Sequence, residues 1–314
     1  MKSAQTLTRA LCRLLSSAGA HSGSVLDGKA VAQGVREALK LDIARLHRDT
    51  NARPGLAIVQ VGSREDSNIY IRNKVKAARE VGIDAHHVPL AGNTTQKEVL
   101  KTIKNLNLDQ SIHGMIVQLP MESSEPISAD QVISAIDPAK DVDGLHPENA
   151  GRLARGILKG TLIPCTPRGC LELVRASGTR VEGKRVVILG RSKIVGSPAA
   201  ELFLWHHGTV TICHSKTADL PGRVRSADIL IAAIGRPEMV KGEWVKEGAV
   251  VIDCGINVVE REGRKRIVGD VAFGEARRMA SHITPVPGGV GPMTIAMLLQ
   301  NTYEQANAAL CQKH

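Results

Sequence analysis

The chain has 314 residues and a formal net charge of +10, with 43% hydrophobic and 23% charged residues. This length allows two domains, and the composition is that of an ordinary globular protein. Only two Phe, two Tyr and two Trp are present, which leaves too few aromatic platforms for single-stranded nucleic acid and argues against nucleic-acid binding. The sequence contains no uninterrupted apolar run of about 18 residues, so no membrane span is predicted. The excess positive charge favours small anionic ligands that carry phosphate or carboxylate groups.

The first 24 residues are rich in Ser and Ala, and they contain Lys, Arg and no acidic residue. Leu7, Leu11, Leu14 and Leu15 would share one face of a helix. This composition is typical of a mitochondrial transit peptide and predicts a location in the matrix. A disordered tail is the alternative.

The six cysteines are scattered along the chain, without a C-x-x-C pair or an accompanying histidine cluster. We therefore expect free thiols, which mostly fill the core, and no metal site.

Strands and helices alternate in the first half of the chain, which predicts a parallel sheet. The predicted elements are a helix over 26–48, a strand over 56–61, a helix from about 67 to 81, a strand over 84–90, a helix over 95–106, a strand over 113–119 and a helix over 128–136. Asp66 or Ser67 is expected to cap the second helix. Thr95 and Glu98 have the spacing of a capping box at the third helix.

Tyr70 and Lys74 lie four residues apart in the second predicted helix, just after a buried strand. Residues at this spacing share one helix face, with Cβ atoms about 5–6 Å apart. A phenol and an amine held together at the mouth of a sheet can form an acid/base pair. Taken alone, the pattern is more readily explained by a packing tyrosine beside a surface lysine.

Two polar residues follow later in this half. Gln118 stands at the carboxyl end of a predicted strand, where ligands bind in open parallel sheets, and its amide can both donate and accept. Asp143 lies in the acidic turn Lys140–Gly144 and could accept two hydrogen bonds from an amino-pyrimidine edge. The structural alternatives are a polar group satisfied at the strand end and a turn-forming Asp before Gly.

The alternation of helices and strands begins again with a helix from about 165 to 177, where Thr166 is the expected N-cap and Pro167 the first helical residue. Strands are predicted over 184–189, 209–213, 229–234 and 249–253, with a helix ending near 206 after the first of them. The first strand runs into Gly190-Arg191-Ser192-Lys193-Ile194-Val195-Gly196. A strand, a glycine turn and a helix are the dinucleotide-binding arrangement, here with Ser192 in place of the second glycine.

The residues that follow the predicted strand over 209–213 indicate which dinucleotide binds. An NAD site would place Asp or Glu there to hold the ribose hydroxyls, whereas this chain has His214-Ser215-Lys216. Together with Arg191, these residues offer cations and a hydroxyl to a ribose phosphate, so NADP is predicted over NAD. Ile256, after the strand over 249–253, could contact the nicotinamide or simply belong to the core.

A loop over 284–294 contains three prolines and three glycines, so its backbone amides can approach a ligand closely. A simple interdomain linker is the alternative. A helix over 294–310 closes the chain, and the basic cluster Arg261–Arg266 is interpreted as a solvated hairpin turn.

Five motifs occur together and in one order. They are Tyr70-x-x-x-Lys74, Gly114-x-x-x-Gln118-Leu119-Pro120, Lys140-Asp141-Val142-Asp143-Gly144, Gly190-Arg191-Ser192-x-x-Val195-Gly196 and Pro285-Val286-Pro287-Gly288-Gly289-Val290-Gly291-Pro292. With this set the chain resembles, over about residues 25 to 311, the bifunctional methylenetetrahydrofolate dehydrogenase/methenyltetrahydrofolate cyclohydrolases, and the leader suggests a mitochondrial type. The resemblance implies NADP-dependent oxidation of methylene-tetrahydrofolate, followed by hydrolysis of the methenyl product to formyl-tetrahydrofolate. A folate- and NADP-binding protein without catalysis is the alternative.

The resemblance also implies roles for particular residues. Lys74 would be the catalytic lysine, Tyr70 would orient the folate, Gln118 would position Lys74 and the one-carbon centre, and Asp143 would hold the pterin. The implied substrate contacts are Tyr70, Ile71, Arg72, Asn73, Lys74, Val117, Gln118, Leu119, Asp143, Pro287, Gly288, Gly289, Val290 and Gly291. The implied NADP contacts are Gly190, Arg191, Ser192, Ser215 and Ile256.

The expected architecture is two α/β domains with a cleft between them. Residues 1–24 would be the leader, residues 25–165 a folate-binding catalytic domain with a parallel sheet, completed by a helix over 293–311, and residues 166–292 a Rossmann-like NADP-binding domain. The resemblance further implies a homodimer. The folate substrate is expected to carry an anionic polyglutamate tail, which the basic charge of the chain suits.

Overall fold

The computed structural model describes residues 23 to 311, apart from the side chain of Asp66. The chain divides into two compact units. The three-stranded unit comprises Gly34–Cys165 and the chain from Ile295 onward, and the six-stranded unit comprises the described residues up to Gln33 together with Thr166–Thr294. Residues 25–33, which the sequence analysis grouped with the first domain, therefore cluster with the second. The predicted leader over residues 1–24 lies almost entirely outside the described residues.

The three-stranded unit is built on a parallel sheet with the order β3-β2-β4. Its strands are β2 (Gly55–Val61), β3 (Asp84–Leu90) and β4 (Gly114–Val117). Every residue of β2 and β4 is buried, whereas the edge strand β3 contains only exposed and half-buried residues. The predicted alternation of helix and strand is thus confirmed, and β2, the middle strand of the sheet, lacks polar residues except Gln60.

Helices connect and cover these strands. They are α1 (Gly28–Thr50), α2 (Glu65–Val81), α3 (Gln96–Leu108), α4 (Ala129–Ser134) and α5 (Pro147–Ala154). The aliphatic side chains of Val59, Met115, Val99 and Ile103 form part of one buried cluster between the sheet and α3. Helix α5 was not predicted, because its eight residues carry only one apolar side chain besides Ala.

Helix α3 shows how local sequence sets an element's ends. Thr95 Oγ1 accepts a hydrogen bond from the Glu98 amide at 3.4 Å, and the Glu98 carboxylate accepts one from the Thr95 amide at 2.8 Å. The predicted capping box is therefore confirmed. At the other end, Lys140 Nζ donates to the carbonyl oxygens of Leu106, Asn107 and Asp109 at 3.1, 2.7 and 2.7 Å. A cation is favourable there because it faces the negative end of the helix dipole.

Two predicted caps are wrong. Helix α2 begins at Glu65 with Arg64 as N-cap and no side-chain cap hydrogen bond, so Asp66 and Ser67 lie inside its first turn. Thr166 also lies inside a helix, since that helix already begins at Cys165.

The six-stranded unit contains a parallel sheet with the order β1-β11-β8-β7-β5-β6. Its strands are β1 (Ser24–Val25), β5 (Arg185–Leu189), β6 (Thr209–Cys213), β7 (Ile229–Ala232), β8 (Val250–Asp253) and β11 (His282–Ile283). Two antiparallel strands, β9 (Asn257–Arg261) and β10 (Arg264–Val268), form a separate hairpin whose turn lies within the basic cluster, as predicted.

Helices α6 (Cys165–Ala176), α7 (Gly196–Leu204), α8 (Leu220–Arg225), α9 (Phe273–Ala276) and α10 (Val290–Cys311) complete the fold. Helix α10 begins four residues earlier than predicted, so Val290 and Gly291 of the predicted loop form its first turn. Within residues 23–311, none of the helices combines the length and apolar character needed to cross a membrane. The five cysteines of the described residues are free, and Cys165, Cys170 and Cys213 are buried in the core.

Candidate functional site

The order of strands in the three-stranded sheet identifies where a ligand would bind. Strand β2 has β3 on one side and β4 on the other, so the chain changes direction across the sheet between β2 and β4. Crevices at the carboxyl ends of strands at such a switch point are the usual ligand sites of open parallel sheets. The segment after β2 leads into α2, which carries Tyr70 and Lys74, and Gln118 directly follows β4.

Lys74 and Gln118 meet at this switch point. The Lys74 Nζ donates a hydrogen bond to Gln118 Oε1 at 2.9 Å, across 44 residues of sequence. Gln118 is fixed in turn, because its Nε2 donates to the Leu119 carbonyl at 2.9 Å and its backbone amide donates to the Val59 carbonyl at 2.8 Å. Both side chains are half-buried, so the amine is oriented by a fixed amide and remains open on one side.

The neighbours of Lys74 on α2 divide between core and surface. Ile71 is buried, whereas Arg72 and Asn73 are exposed, and Tyr70 keeps 41% of its surface exposed. A large tyrosine left open one helical turn from Lys74 is available to pack on a planar ligand. Val117 is buried, and Leu119 is half-buried.

Arg72 also lines an open cavity of about 740 Å³ between α2 and β3. Lys76, Arg79 and His87 line the same cavity, and Glu80 is the acidic residue among the lining residues. The cavity is therefore cationic.

Asp143 sits in a turn that is attached to β4. The turn begins at Asp141, which pairs with Met115 in a parallel bridge, so the chain runs from there toward the end of the sheet that carries Gln118. The half-buried Asp143 is positioned by Asp141, a residue that sequence reasoning did not single out.

Asp141 is only 1% exposed and accepts four hydrogen bonds. Its carboxylate receives the amides of Leu145 and His146 at 3.2 and 2.8 Å, and Asn149 Nδ2 at 2.9 Å; the fourth is the turn bond from the Gly144 amide to its backbone carbonyl at 3.0 Å. Burial raises the pKa of Asp141 to about 6, against the lowering effect of these hydrogen bonds. The sequence analysis missed this role although the partners lie within eight residues of Asp141, because they belong to an irregular turn and to the start of α5, which was not predicted.

A second switch point lies in the six-stranded sheet, between β5 and β7. A cavity of about 330 Å³ opens there, beyond the carboxyl ends of β5, β6 and β7. It is lined by Leu189, Gly190, Arg191, Ser192, Cys213, His214, Ser215, Leu220, Ala233, Ile234, Arg236 and Met239. Four of the five predicted cofactor contacts are thus brought to one cavity.

Close contacts explain why the predicted dinucleotide turn has glycine at two positions. Gly190 has φ 106°, and a Cβ there would clash with the carbonyl oxygen of Ala233 on the neighbouring strand's loop. A Cβ at Gly196 would clash with the carbonyl oxygen of Gly190, so this glycine lets α7 begin against the turn. Ser192, in the place of the second glycine, accepts the amides of Val195 and Gly196 through its Oγ at 3.2 and 3.4 Å.

The turn after β6 presents polar groups to the same cavity. The His214 amide donates to Thr217 Oγ1 at 2.9 Å, and the Lys216 amide donates to His214 Nδ1 at 3.2 Å. These bonds hold the turn while Ser215 and Lys216 stay exposed. Ile256, 54% exposed, follows β8 and is not among the residues that line the cavity, so its predicted contact with nicotinamide stays a prediction.

The predicted loop over Pro287–Gly291 belongs to the six-stranded unit. Gly288 has φ 108°, and Gly289 is buried against Thr284 and Pro285, where a Cβ would not fit. These two glycines are therefore needed for the backbone path of the loop. That the loop closes over a substrate remains a prediction.

Comparison with known families places both units. Residues 26–143 match the family model for the tetrahydrofolate dehydrogenase/cyclohydrolase catalytic domain, and residues 164–310 match the model for the corresponding NAD(P)-binding domain.

Individual relatives agree with the family models. The bifunctional protein FolD 2 of Geobacter sulfurreducens is 52% identical over 286 residues, which cover 91% of this chain and 98% of that protein. The cytoplasmic C-1-tetrahydrofolate synthase of Rattus norvegicus is 54% identical over 290 residues, and the match spans 91% of this chain but only 31% of the synthase. A crystal structure of the Trypanosoma brucei N5,N10-methylenetetrahydrofolate dehydrogenase-cyclohydrolase, complexed with NADP and an inhibitor, is similar with a TM-score of 0.86 and 41% identity, covering 93% of this chain and 98% of that one.

Proposed function

Because the chain belongs to the tetrahydrofolate dehydrogenase/cyclohydrolase family, we propose that it oxidises methylene-tetrahydrofolate with NADP and then hydrolyses the methenyl product to formyl-tetrahydrofolate. The observation that carries the proposal is the hydrogen bond between Lys74 and Gln118 at the switch point of the three-stranded sheet. An amine fixed by an amide at a ligand-binding edge is a suitable group for moving protons.

The cavity of the six-stranded unit is the proposed NADP site. Gly190 lets the strand ends approach closely, and the first turn of α7 can receive the pyrophosphate. Arg191, Ser215 and Lys216 offer two cations and a hydroxyl to the ribose phosphate, which supports NADP rather than NAD. When bound, the nicotinamide supplies a hydride acceptor for the oxidation.

The hydrolytic half is assigned to the three-stranded unit. Water adds to the cationic methenyl carbon and loses a proton, and one carbon–nitrogen bond then breaks while its nitrogen gains a proton. Lys74 is proposed to carry the proton between these positions, and Gln118 to keep its Nζ aimed at the one-carbon centre. Asp143 would accept hydrogen bonds from the pterin, and Tyr70 would pack on the folate.

The decisive test is a spectrophotometric assay of the purified chain with methylene-tetrahydrofolate and each nicotinamide cofactor in turn. We expect methenyl-tetrahydrofolate to form with NADP, faster than with NAD, and then to convert to formyl-tetrahydrofolate. Binding of folate and NADP without turnover would contradict the proposal and favour the non-catalytic alternative.

A polyglutamylated folate is the proposed physiological substrate. The net charge of +10 and the cationic cavity beside α2 support this. The KM for a pentaglutamate substrate should rise with salt more steeply than the KM for the monoglutamate. Equal salt dependence of the two would contradict it.

A homodimer is also proposed. Val258 and Ile267 are paired across the hairpin and keep 66% and 45% of their surfaces exposed, which supports burial of this face by a second copy. Light scattering of the purified chain should give twice the chain mass, and Val258→Lys should give a monomer. A monomeric wild-type protein would contradict this proposal.

The composition of residues 1–24 supports a mitochondrial matrix location. Fusing these residues to a fluorescent protein should direct it to mitochondria, and Arg9→Glu with Arg13→Glu should abolish the targeting. A diffuse cytosolic signal from the unaltered fusion would contradict the proposal.

A further inference from the structure

Asp270 is a buried carboxylate for which the proposed reaction has no direct use. It is 0% exposed and follows the hairpin of β9 and β10 in the six-stranded unit. Its Oδ2 accepts the amides of Ile234 and Gly235 at 2.7 and 3.0 Å. Its Oδ1 accepts the Arg236 amide and Asn257 Nδ2, both at 2.9 Å. One carboxylate thus binds three consecutive backbone amides and a side-chain amide.

The groups that Asp270 binds belong to two loops at the carboxyl end of the sheet. The first follows β7, and its Ile234 and Arg236 line the proposed NADP cavity. The second follows β8, and Asn257, which ends this loop as the first residue of β9, comes directly after Ile256. Strand β7 ends at Ala232, two residues before the predicted end: the Ala233 amide still donates to the Leu189 carbonyl of β5, but the amides from Ile234 onward donate to Asp270 instead of continuing the sheet.

A second carboxylate, Asp253, fixes Asp270. Asp253 accepts the amides of Asp270, Gly255 and Val271, each at 2.9 Å, and is itself only 3% exposed. Gly255 is required beside this pair, since a Cβ there would clash with the Asp270 carboxylate. Asp253 thus fixes the backbone of Asp270, and the hydrogen bonds of the Asp270 carboxylate hold its side chain against the loop after β7.

We infer that Asp270 is a positioning residue for the dinucleotide, acting through the loops after β7 and β8. Hydrogen bonds to a charged acceptor are roughly twice as strong as neutral ones, so they hold both loops in the bound conformation before the dinucleotide arrives. Such preorganisation lowers the ordering cost of binding. The inference rests on the proposed function, because it assigns Asp270 to the NADP site.

The test compares Asp270→Asn with Asp228→Asn. An Asn side chain at position 270 has about the same size as Asp, but it places an NH2 group against backbone amides that need an acceptor. Asp228 is the matched control, because it is a carboxylate of the same unit that accepts the Arg185 amide at 2.9 Å and pairs with Lys246, at the opposite end of the sheet. NADP affinity is measured by titration calorimetry, the KM for each substrate by initial rates, and stability by thermal unfolding without ligand.

We expect Asp270→Asn to weaken NADP binding and raise its KM by at least about tenfold, with the KM for methylene-tetrahydrofolate unchanged. Asp228→Asn should lower the unfolding temperature without changing NADP affinity. If Asp270→Asn does not fold, Asn257→Ala, which removes one of the four donors, should weaken NADP binding by a smaller factor.

Equal NADP affinity in the wild type and in the folded Asp270→Asn or Asn257→Ala protein would overturn the inference. A parallel rise in the KM of both substrates would also overturn it, because it would indicate a general structural role. A wild-type chain that does not bind NADP would instead refute the proposed function, so the two failures are distinguishable.

Discussion

Removing either partner of the Lys74–Gln118 hydrogen bond should slow hydrolysis of methenyl-tetrahydrofolate by different amounts. Lys74→Met removes the proposed proton carrier, and positioned acid/base groups contribute about 10²- to 10⁴-fold to rates. Gln118→Leu leaves the amine but removes its acceptor at 2.9 Å. A hydrogen bond to a charged group is worth about 1.5–3 kcal/mol, which corresponds to about a 10- to 150-fold loss.

The double variant distinguishes whether Gln118 acts through Lys74. If it does, Lys74→Met with Gln118→Leu should be no slower than Lys74→Met alone, since an absent amine cannot be misplaced. The assay follows the decay of added methenyl-tetrahydrofolate, corrected for the uncatalysed reaction. Lys101→Met is the control, because Lys101 is an exposed lysine of α3 in the same unit and does not line the cavity beside α2, and it should leave the rate near that of the wild type.

Two results would refute this reasoning. If the rate losses of the two single substitutions multiply in the double variant, Gln118 acts independently of Lys74. A hydrolysis rate in Lys74→Met equal to that of the wild type would remove Lys74 from the mechanism.

Three further predictions concern cofactor choice, pH and stability. Ser215→Asp places a negative charge in the cavity beside Arg191, so it should raise the KM for NADP by at least about tenfold and affect NAD less, as initial rates would show. Asp141→Asn should change the pH dependence of stability. The pKa of Asp141 is raised to about 6, so the folded chain binds the proton of this carboxyl group more tightly than the unfolded chain does. The contribution of Asp141 to stability therefore falls as pH rises from about 4 to about 6. The unfolding free energy of the wild type minus that of the variant should decrease across that window by up to about 3 kcal/mol, measured by urea unfolding. Thr95→Ala removes the capping box of α3 and should cost about 1 kcal/mol of stability with both KM values unchanged.

Each of these predictions has a contradicting outcome. An unchanged preference for NADP in Ser215→Asp would place the ribose phosphate elsewhere. If the difference in unfolding free energy between the wild type and Asp141→Asn is constant with pH, Asp141 does not titrate in that window. A changed KM in Thr95→Ala would show that α3 influences the site.

The sequence was most informative where chemistry and periodicity coincide. The spacing of Tyr70 and Lys74 predicted a shared helix, and the apolar run before Gln118 predicted its place at a strand end; both are confirmed. Neither pattern could say that Lys74 and Gln118 touch, because 44 residues separate them and only the parallel pairing of β2 with β4 brings them together.

The residues that the sequence analysis missed act through backbone amides. Asp141, Asp253 and Asp270 each accept several amides from loops that are remote or irregular, and such acceptors have no spacing rule. The wrong cap at Ser67 has a related cause, since α2 begins without any side-chain cap hydrogen bond.

The roles proposed for Lys74, Gln118 and Asp143 are tested most directly by a crystal structure of the chain with NADP and a stable folate analogue. We expect Asp143 to accept hydrogen bonds from the pterin, while Lys74 Nζ, still bound to Gln118, lies within hydrogen-bond reach of the one-carbon bridge. A pterin bound away from Asp143, or a Lys74 that points away from the bridge, would contradict it.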